Sequence, residues 1–176
     1  MERTLILIKP DGVSKGLAGE VISRFERAGL KIVGLKIMQA DNKIGKKHYP
    51  VTDEWAEGIW SKTKAGYERE GKEFNYSVEE IAEMVQGRLI KFLTSSPIVA
   101  MVLDGLHAVA VCRKICGATE PYAAAPGTIR GDFSIDAYDL AMAEERSIEN
   151  IVHASGSIEE AEREISIWFS EEELIK

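Results

Sequence analysis

The stretch IVAMVL, residues 98–103, has six apolar residues in succession. Such a run, bounded by polar residues, reads as a buried central strand. The segments on either side of it follow helical spacing. Val78–Leu93 carries Ile81, Met84, Val85, Leu89, Ile90 and Phe92 on one face, and His107–Cys116 reads as a helix closed by Gly117. Toward the N-terminus, Arg3–Ile8 is a short apolar run that stops at the turn sequence Lys9-Pro10-Asp11-Gly12. Gly19–Ala28 places Val21, Ile22 and Phe25 at helical spacing before Gly29, and Leu30–Met38 alternates as a strand. Ile44–His48 reads as a short helix. Toward the C-terminus, Tyr122–Ser134 reads as a long Gly/Pro-containing loop, Ile135–Ser147 as partly helical, and Ile151–His153 as a short strand. Ser157 caps a last helix, and Glu160 three residues on predicts a capping box. The order β-α-β-β-α-β predicts one α+β domain over residues 1–176, a split βαβ sandwich with helices on one face of an antiparallel sheet.

Composition narrows the function. Of 176 residues, 45% are hydrophobic and 29% charged, a globular balance. No apolar run approaches the roughly 18–20 residues that span a bilayer. Leu5–Ile8 is too short for a signal-peptide core, and the two cysteines, Cys112 and Cys116, make neither a disulfide framework nor a four-ligand zinc site. A cytoplasmic protein with no membrane partner is expected. The net charge of −7 argues against general nucleic-acid binding. Charge is unevenly spread: residues 1–49 hold ten Lys/Arg against five Asp/Glu, and residues 131–176 hold three against thirteen. A cleft gathering a few of the cations could still take an anionic small molecule.

The chain contains no G-x-x-x-x-G-K-[ST] loop, no strand-linked G-x-G-x-x-G, no H-E-x-x-H and no G-x-S-x-G. Chemistry must therefore come from clusters. His153 ends a strand candidate and is followed by small residues, which leave space around its ring. Alone it fits a satisfied structural histidine as well as a catalyst. Glu164, seven residues past the cap Ser157, lies on the same helical face as that cap. A carboxylate holding one imidazole nitrogen would leave the other free as a nucleophile. Arg130, between Gly127 and Gly131 in TIRGDF, is poorly explained by packing and suits bidentate phosphate binding. Lys9, Arg113, Thr119 and Arg130 together could form a polyphosphate clamp.

These residues carry a resemblance. ERTLILIKPDGV, the HY at 48–49, PIVAMVLDGLHAVAVCRKICGAT, PGTIRGDFSID, NIVHASGS and EEAEREISIWFSEEEL resemble the nucleoside diphosphate kinase family over most of the chain. The resemblance implies a ferredoxin-like fold. It also implies transfer of the γ-phosphate of a nucleoside triphosphate, typically ATP, to a nucleoside diphosphate. The route implied is ping-pong through phosphohistidine, with Mg²⁺ carried on the nucleotide phosphates rather than by protein ligands. It assigns His153 as nucleophile, Glu164 and Ser155 as its orienting pair, and Tyr49 beside it. Lys9, Arg113, Thr119, Arg130 and Asn150 are assigned to nucleotide phosphate and sugar, and a homo-oligomer, hexamer or tetramer, is implied. A nucleotide-binding module of the same fold without turnover is the alternative.

Three departures from the family pattern stand out. Residues 51–83 form a long insertion with Trp55, Trp60, Tyr67, Phe74 and Tyr76. Counting back from Pro97 puts Val85 where the family stacks the base on an aromatic, so an inserted aromatic could substitute, or the insertion could pack on the surface or between subunits. A second insertion covers residues 138–148. Gly156 replaces the family's Asp, which removes a carboxylate near His153.

Overall fold

The computed structural model describes residues 1–69 and 71–176. Four strands form one antiparallel sheet: β1 (Glu2–Ile8), β2 (Lys31–Met38), β3 (Ile98–Gly105) and β4 (Val152–Ala154), in the spatial order β2-β3-β1-β4. The connections are α1 (Pro10–Ser14) and α2 (Ala18–Arg27), then α3 (Asn42–His48), α4 (Asp53–Arg69) and α5 (Val78–Leu93). After β3 come α6 (Ala108–Cys116), α7 (Ile129–Phe133) and α8 (Tyr138–Ala143), and α9 (Ile158–Trp168) follows β4. This is the expected βαββαβ arrangement with further helices added, α4 the longest of all.

The prediction of helices on one face is corrected: both faces of the sheet are covered. Successive strand residues point to opposite sides. Ile6 and Ile8 of β1 join Val21, Phe25 and Cys112 in one core, while Leu5 and Leu7 join Leu93 and Trp168 in a second. All of Leu5–Ile8 and Ile98–Leu103 are buried. Unbroken apolar runs, without polar alternation, are what a two-sided strand requires. Burying each such side chain contributes about 1.5–3 kcal/mol, so the central pair β1–β3 anchors both layers.

Several local readings shift. Lys9-Pro10-Asp11-Gly12 opens a helix, with Lys9 as cap and Pro10 at the first helical position. The stretch read as a loop contains α7, capped by the Thr128 hydroxyl accepting from the Gly131 N–H at 3.2 Å. Strand β4 starts one residue later than expected because Ile151 sits at φ +69°. Residues 51–83 are α4 and the start of α5. Trp60, Tyr67, Phe74 and Tyr76 pack edge-on at 5.3–5.9 Å and close that helical hairpin on itself. Its N-terminal end at α5 carries a complete capping box, Ser77 with Glu80. The second insertion forms α8 and a turn locked by Arg146, whose two terminal nitrogens reach the Asp136 carboxylate at 2.6 and 2.8 Å. Among the described residues no helix is long and apolar enough to cross a membrane.

Candidate active site

Position 153 pairs with Leu7 across β4 and β1, so its imidazole stands on the Leu5/Leu7 face of the sheet. Helix α9 crosses that face and delivers Glu164, which is fully buried. Glu164 Oε2 lies 2.9 Å from His153 Nε2 and accepts the Ser155 hydroxyl proton at 2.7 Å. With a carboxylate on Nε2, the ring carries its proton there and leaves the Nδ1 lone pair free. Burial, and then the nearby charges of Lys9, Arg130 and Arg113, push the His153 pKa below the ordinary imidazole range. The ring is therefore neutral at pH 7, as a nucleophile must be. Burial pushes the Glu164 carboxyl upward.

The approach to β4 is held in a strained form. Ile151 is β-branched and left-handed, a backbone state costing on the order of 1–3 kcal/mol. It persists because its neighbours over-determine it. The Asp11 carboxylate accepts the Ile151 N–H at 2.9 Å, and the Lys9 N–H donates to the Ile151 carbonyl at 2.8 Å. A Cβ on Gly12 would come within 2.9 Å of that same carbonyl, so glycine is required. The KPDG sequence thus does four separate things: Lys9 enters the cleft, Pro10 starts α1, Asp11 caps Ile151, and Gly12 permits the contact.

The cations converge at the ends of β1 and β4. Lys9 Nζ donates to Asn150 Oδ1 at 2.7 Å, and Asn150 Nδ2 donates to the Thr119 carbonyl at 2.7 Å. Burial, then the Arg130 charge, lowers the Lys9 pKa to about 8. Arg130 corrects the sequence argument that packing explains it poorly. Its guanidinium donates to three backbone carbonyls: Gly117 at 2.8 Å, Val152 at 2.8 Å and Asn150 at 3.3 Å. Three of its five N–H groups are taken by the fold, leaving one on each terminal nitrogen. Arg113 on α6 is exposed and open to the same space.

A cleft of about 1960 Å³ joins these groups. Lys9, Tyr49, Val85, Arg113 and Thr119 line it, as do Arg130, Asn150, His153 and Glu164, while Ser155 is buried behind Glu164. Inserted residues Trp55, Ile59 and Thr63 also line it.

Two residues escaped the sequence reading. His48 is buried, with its ring centroid 4.5 Å from that of His153; its Nδ1 accepts the Trp168 Nε1–H at 3.3 Å and lies 3.4 Å from Glu164 Oε1. Only its place in a helix ending at Tyr49 was visible in the chain. The other is Glu160. The expected reciprocal capping box at Ser157 is not formed. The Glu160 carboxylate reaches one residue further back, accepting the Gly156 N–H at 2.6 Å and filling the space of a Cβ there. Its charge acts on His153. The carboxylate expected to be missing at Gly156 is supplied by Glu160.

The family model for nucleoside diphosphate kinase matches residues 2–57 and 60–174. A nucleoside diphosphate kinase of Pyrobaculum aerophilum is 46% identical over all of this chain and 99% of its own length. One from Borreliella burgdorferi is 41% identical over 99% of this chain and 91% of its own. The crystal structure of an NDP kinase from P. aerophilum superposes with a TM-score of 0.96 at 45% identity, covering 99% of both chains, so the α4–α5 hairpin lies within the shared extent. A B. burgdorferi structure, a transition state mimic with bound vanadate and ADP, has a TM-score of 0.82 at 40% identity and covers 99% of this chain and 90% of that one. With the histidine, its carboxylate and the cationic cleft in one place, and with matches along its whole length, the chain belongs to the nucleoside diphosphate kinase family.

Proposed function

We propose that the protein moves the γ-phosphate of a nucleoside triphosphate, typically ATP, to a nucleoside diphosphate through a phosphohistidine on His153. The observation that carries this is the His153–Glu164 pair, which ties Nε2 and leaves Nδ1 open toward a cationic cleft. The Nδ1 lone pair forms a bond to the γ-phosphorus. The bond from that phosphorus to the β,γ-bridging oxygen breaks, and the diphosphate leaves with the electron pair. The ring becomes a phosphoimidazolium, and its Nε2 proton stays against Glu164. A second diphosphate reverses the step. Transferring phosphoryl groups spread negative charge over their oxygens, so positioning and electrostatics carry most of the catalysis.

Lys9, Arg113 and the two free N–H groups of Arg130 supply cations for the phosphates, with Thr119 at the cleft edge. Asn150, already oriented by Lys9 and Thr119, meets the sugar. Tyr49, packed on His48 at 4.6 Å, bounds the nucleophile's side of the cleft. Val85, with Trp55 also lining the cleft, flanks the base. A magnesium ion carried by the nucleotide would supply charge neutralisation for the phosphates, beside Lys9, Arg113 and Arg130. Among the described residues the one group of metal-ligand side chains is His48, His153 and Glu164. Its two nitrogen donors are unlike the oxygen shell Mg²⁺ takes, consistent with an ion held by the substrate.

A homo-oligomer, hexamer or tetramer, is part of this reading. Edge strand β2 has no strand neighbour on one side, where only the Ile175 N–H reaches the Val33 carbonyl among the described residues, and it exposes Leu35 and Ile37, which a second copy would cover. A cytoplasmic site of action fits the two buried free thiols, Cys112 and Cys116.

Incubation with γ-labelled ATP tests the mechanism. Acid-labile label should appear on the protein, leave on adding a diphosphate, and be absent from His153→Ala. Turnover by that variant would overturn the assignment, and nucleotide binding without labelling of the wild type would favour a silent binding module.

A further inference from the structure

Of the cations at the phosphate end, Arg113 is the one that the fold does not tie down. Lys9 is bonded to Asn150, and Arg130 to three carbonyls. The Arg113 side chain is exposed and makes no hydrogen bond or ion pair with a described residue. It borders two openings. One is the cleft, and the other is a recess of about 470 Å³ lined also by Glu2, His107 and Ser157. Gly156 borders the same two. On the recess side, the Glu2 carboxylate is engaged, accepting the Val109 N–H at 3.4 Å and lying 3.7 Å from His107 Nδ1. A long side chain at such a boundary loses rotamer freedom when a phosphate orders it, and a group that already favours the cleft side lessens that cost.

The carboxylate on the cleft side is Glu160. It is itself anchored: Oε2 accepts the Gly156 N–H at 2.6 Å, and Oε1 lies 4.0 Å from Arg163 Nη2. A Cβ on Gly156 would overlap Glu160 Oε2 and stand 3.7 Å from Arg113 Nη1. The carboxylate and the guanidinium therefore flank one point, which glycine leaves open. Gly156 is not among the left-handed glycines, so the position needs space rather than a special backbone. Glu160 also lines the cleft, and its charge reaches His153 in the opposite sense to those of Lys9, Arg130 and Arg113.

We infer that Glu160 is a positioning residue for the transfer: seated in the space left by glycine at 156, its carboxylate draws the Arg113 guanidinium to the His153 side of the boundary, where it meets the γ-phosphate. This rests on His153 being the phosphoryl carrier. A carboxylate near the phosphates opposes nucleotide binding slightly. The same carboxylate presets the donor geometry that the transferring group needs, so its benefit falls on the transition state. Removing its charge lowers the rate without weakening binding.

The test combines single-turnover labelling with γ-labelled ATP, calorimetric binding of Mg-ADP, and nitrogen NMR of the Arg113 side chain in the nucleotide-free full chain. Glu160→Gln keeps an oxygen for the Gly156 N–H and loses the charge. It should melt as wild type does, bind Mg-ADP at least as tightly, and be phosphorylated roughly two- to fivefold more slowly, the range of a screened ion pair. In an Arg113→Ala background the same substitution should slow labelling no further. The Arg113 Nε–H signal should shift in Glu160→Gln and stay in place in Glu162→Gln, an exposed position on the same helix. An unchanged rate in Glu160→Gln would make Glu160 only a cap for Gly156 and overturn the inference. An equal further loss in the Arg113→Ala background would overturn it as well, because Glu160 would then act on His153 directly. A shifted Arg113 signal in a protein that takes up no label would leave the contact standing and refute the proposed chemistry instead.

Discussion

Replacing Glu164 with Gln separates catalysis from stability. The side chain is fully buried and holds both His153 Nε2 and the Ser155 hydroxyl. As His153 attacks, positive charge develops on a ring 2.9 Å from this carboxylate. A hydrogen bond to a charged partner contributes about 1.5–3 kcal/mol and a neutral one about 0.5–1.5. The amide therefore loses at least about 1 kcal/mol of transition-state stabilisation. The Coulomb attraction of a charge pair at 3–4 Å, at an effective dielectric of 20, sets an upper bound of about 4–6 kcal/mol. The phosphorylation rate should fall between roughly fivefold and about ten-thousandfold, read by rapid-quench labelling with γ-labelled ATP. Stability should move the other way. Burial raises the Glu164 pKa in the folded state. Folding then favours the protonated form, so this group's contribution is largest in acid and is lost as pH rises through the raised value. Where the buried carboxylate is ionised it is held against that preference, and Gln is free of the penalty. The variant should melt at or above the wild-type temperature at pH 7, with the difference narrowing on acidification. A rate within twofold of wild type would remove Glu164 from the mechanism. A lower melting temperature at pH 7 would refute the electrostatic argument and make the residue a structural one.

The remaining predictions follow from neighbouring geometry. Arg130→Ala and Arg130→Lys should both unfold at lower denaturant, by about 2–4 kcal/mol for Ala and nearly as much for Lys, because an ammonium cannot bridge three carbonyls; a Lys variant of wild-type stability would disprove the brace. Asp11→Ala should cost about 1–3 kcal/mol in chemical denaturation and slow phosphorylation, since it orphans the Ile151 N–H and frees the strained residue two before His153; unchanged labelling would detach that strain from function. Lys9, lowered to about 8 by burial and Arg130, should lose its charge as pH rises through that value. Nucleotide affinity measured by calorimetry should therefore weaken from pH 7 to 9, and Lys9→Met should bind weakly with a flatter profile. The same shift lies below the unfolded lysine value, so Lys9 contributes a rise in folding stability between about pH 8 and 10.5, visible as a difference from Lys9→Met in denaturant melts.

The chain alone determined the succession of strands and main helices, because these differ in period and the breaks fall at Gly29 and Gly117, both left-handed in φ. It also named most of the residues that line the cleft, since KPDG, TIRGDF and NIVHAS are specific strings. What it could not carry was direction and pairing. The apolar runs of β1 and β3 already required two covered faces, yet periodicity does not say which helix covers which side. Arg130 between glycines looks like a free cation until Gly117, Asn150 and Val152 arrive from three separate segments to take its N–H groups. Gly156 reads as a missing carboxylate, and only the turn of α9 brings Glu160 back onto its N–H. His48 and His153 are 105 residues apart, and nothing local says that their rings touch. Helix and strand form through contacts a few residues apart, whereas the pKa of His153 and the strain at Ile151 are set by groups that meet only when the chain folds onto the sheet.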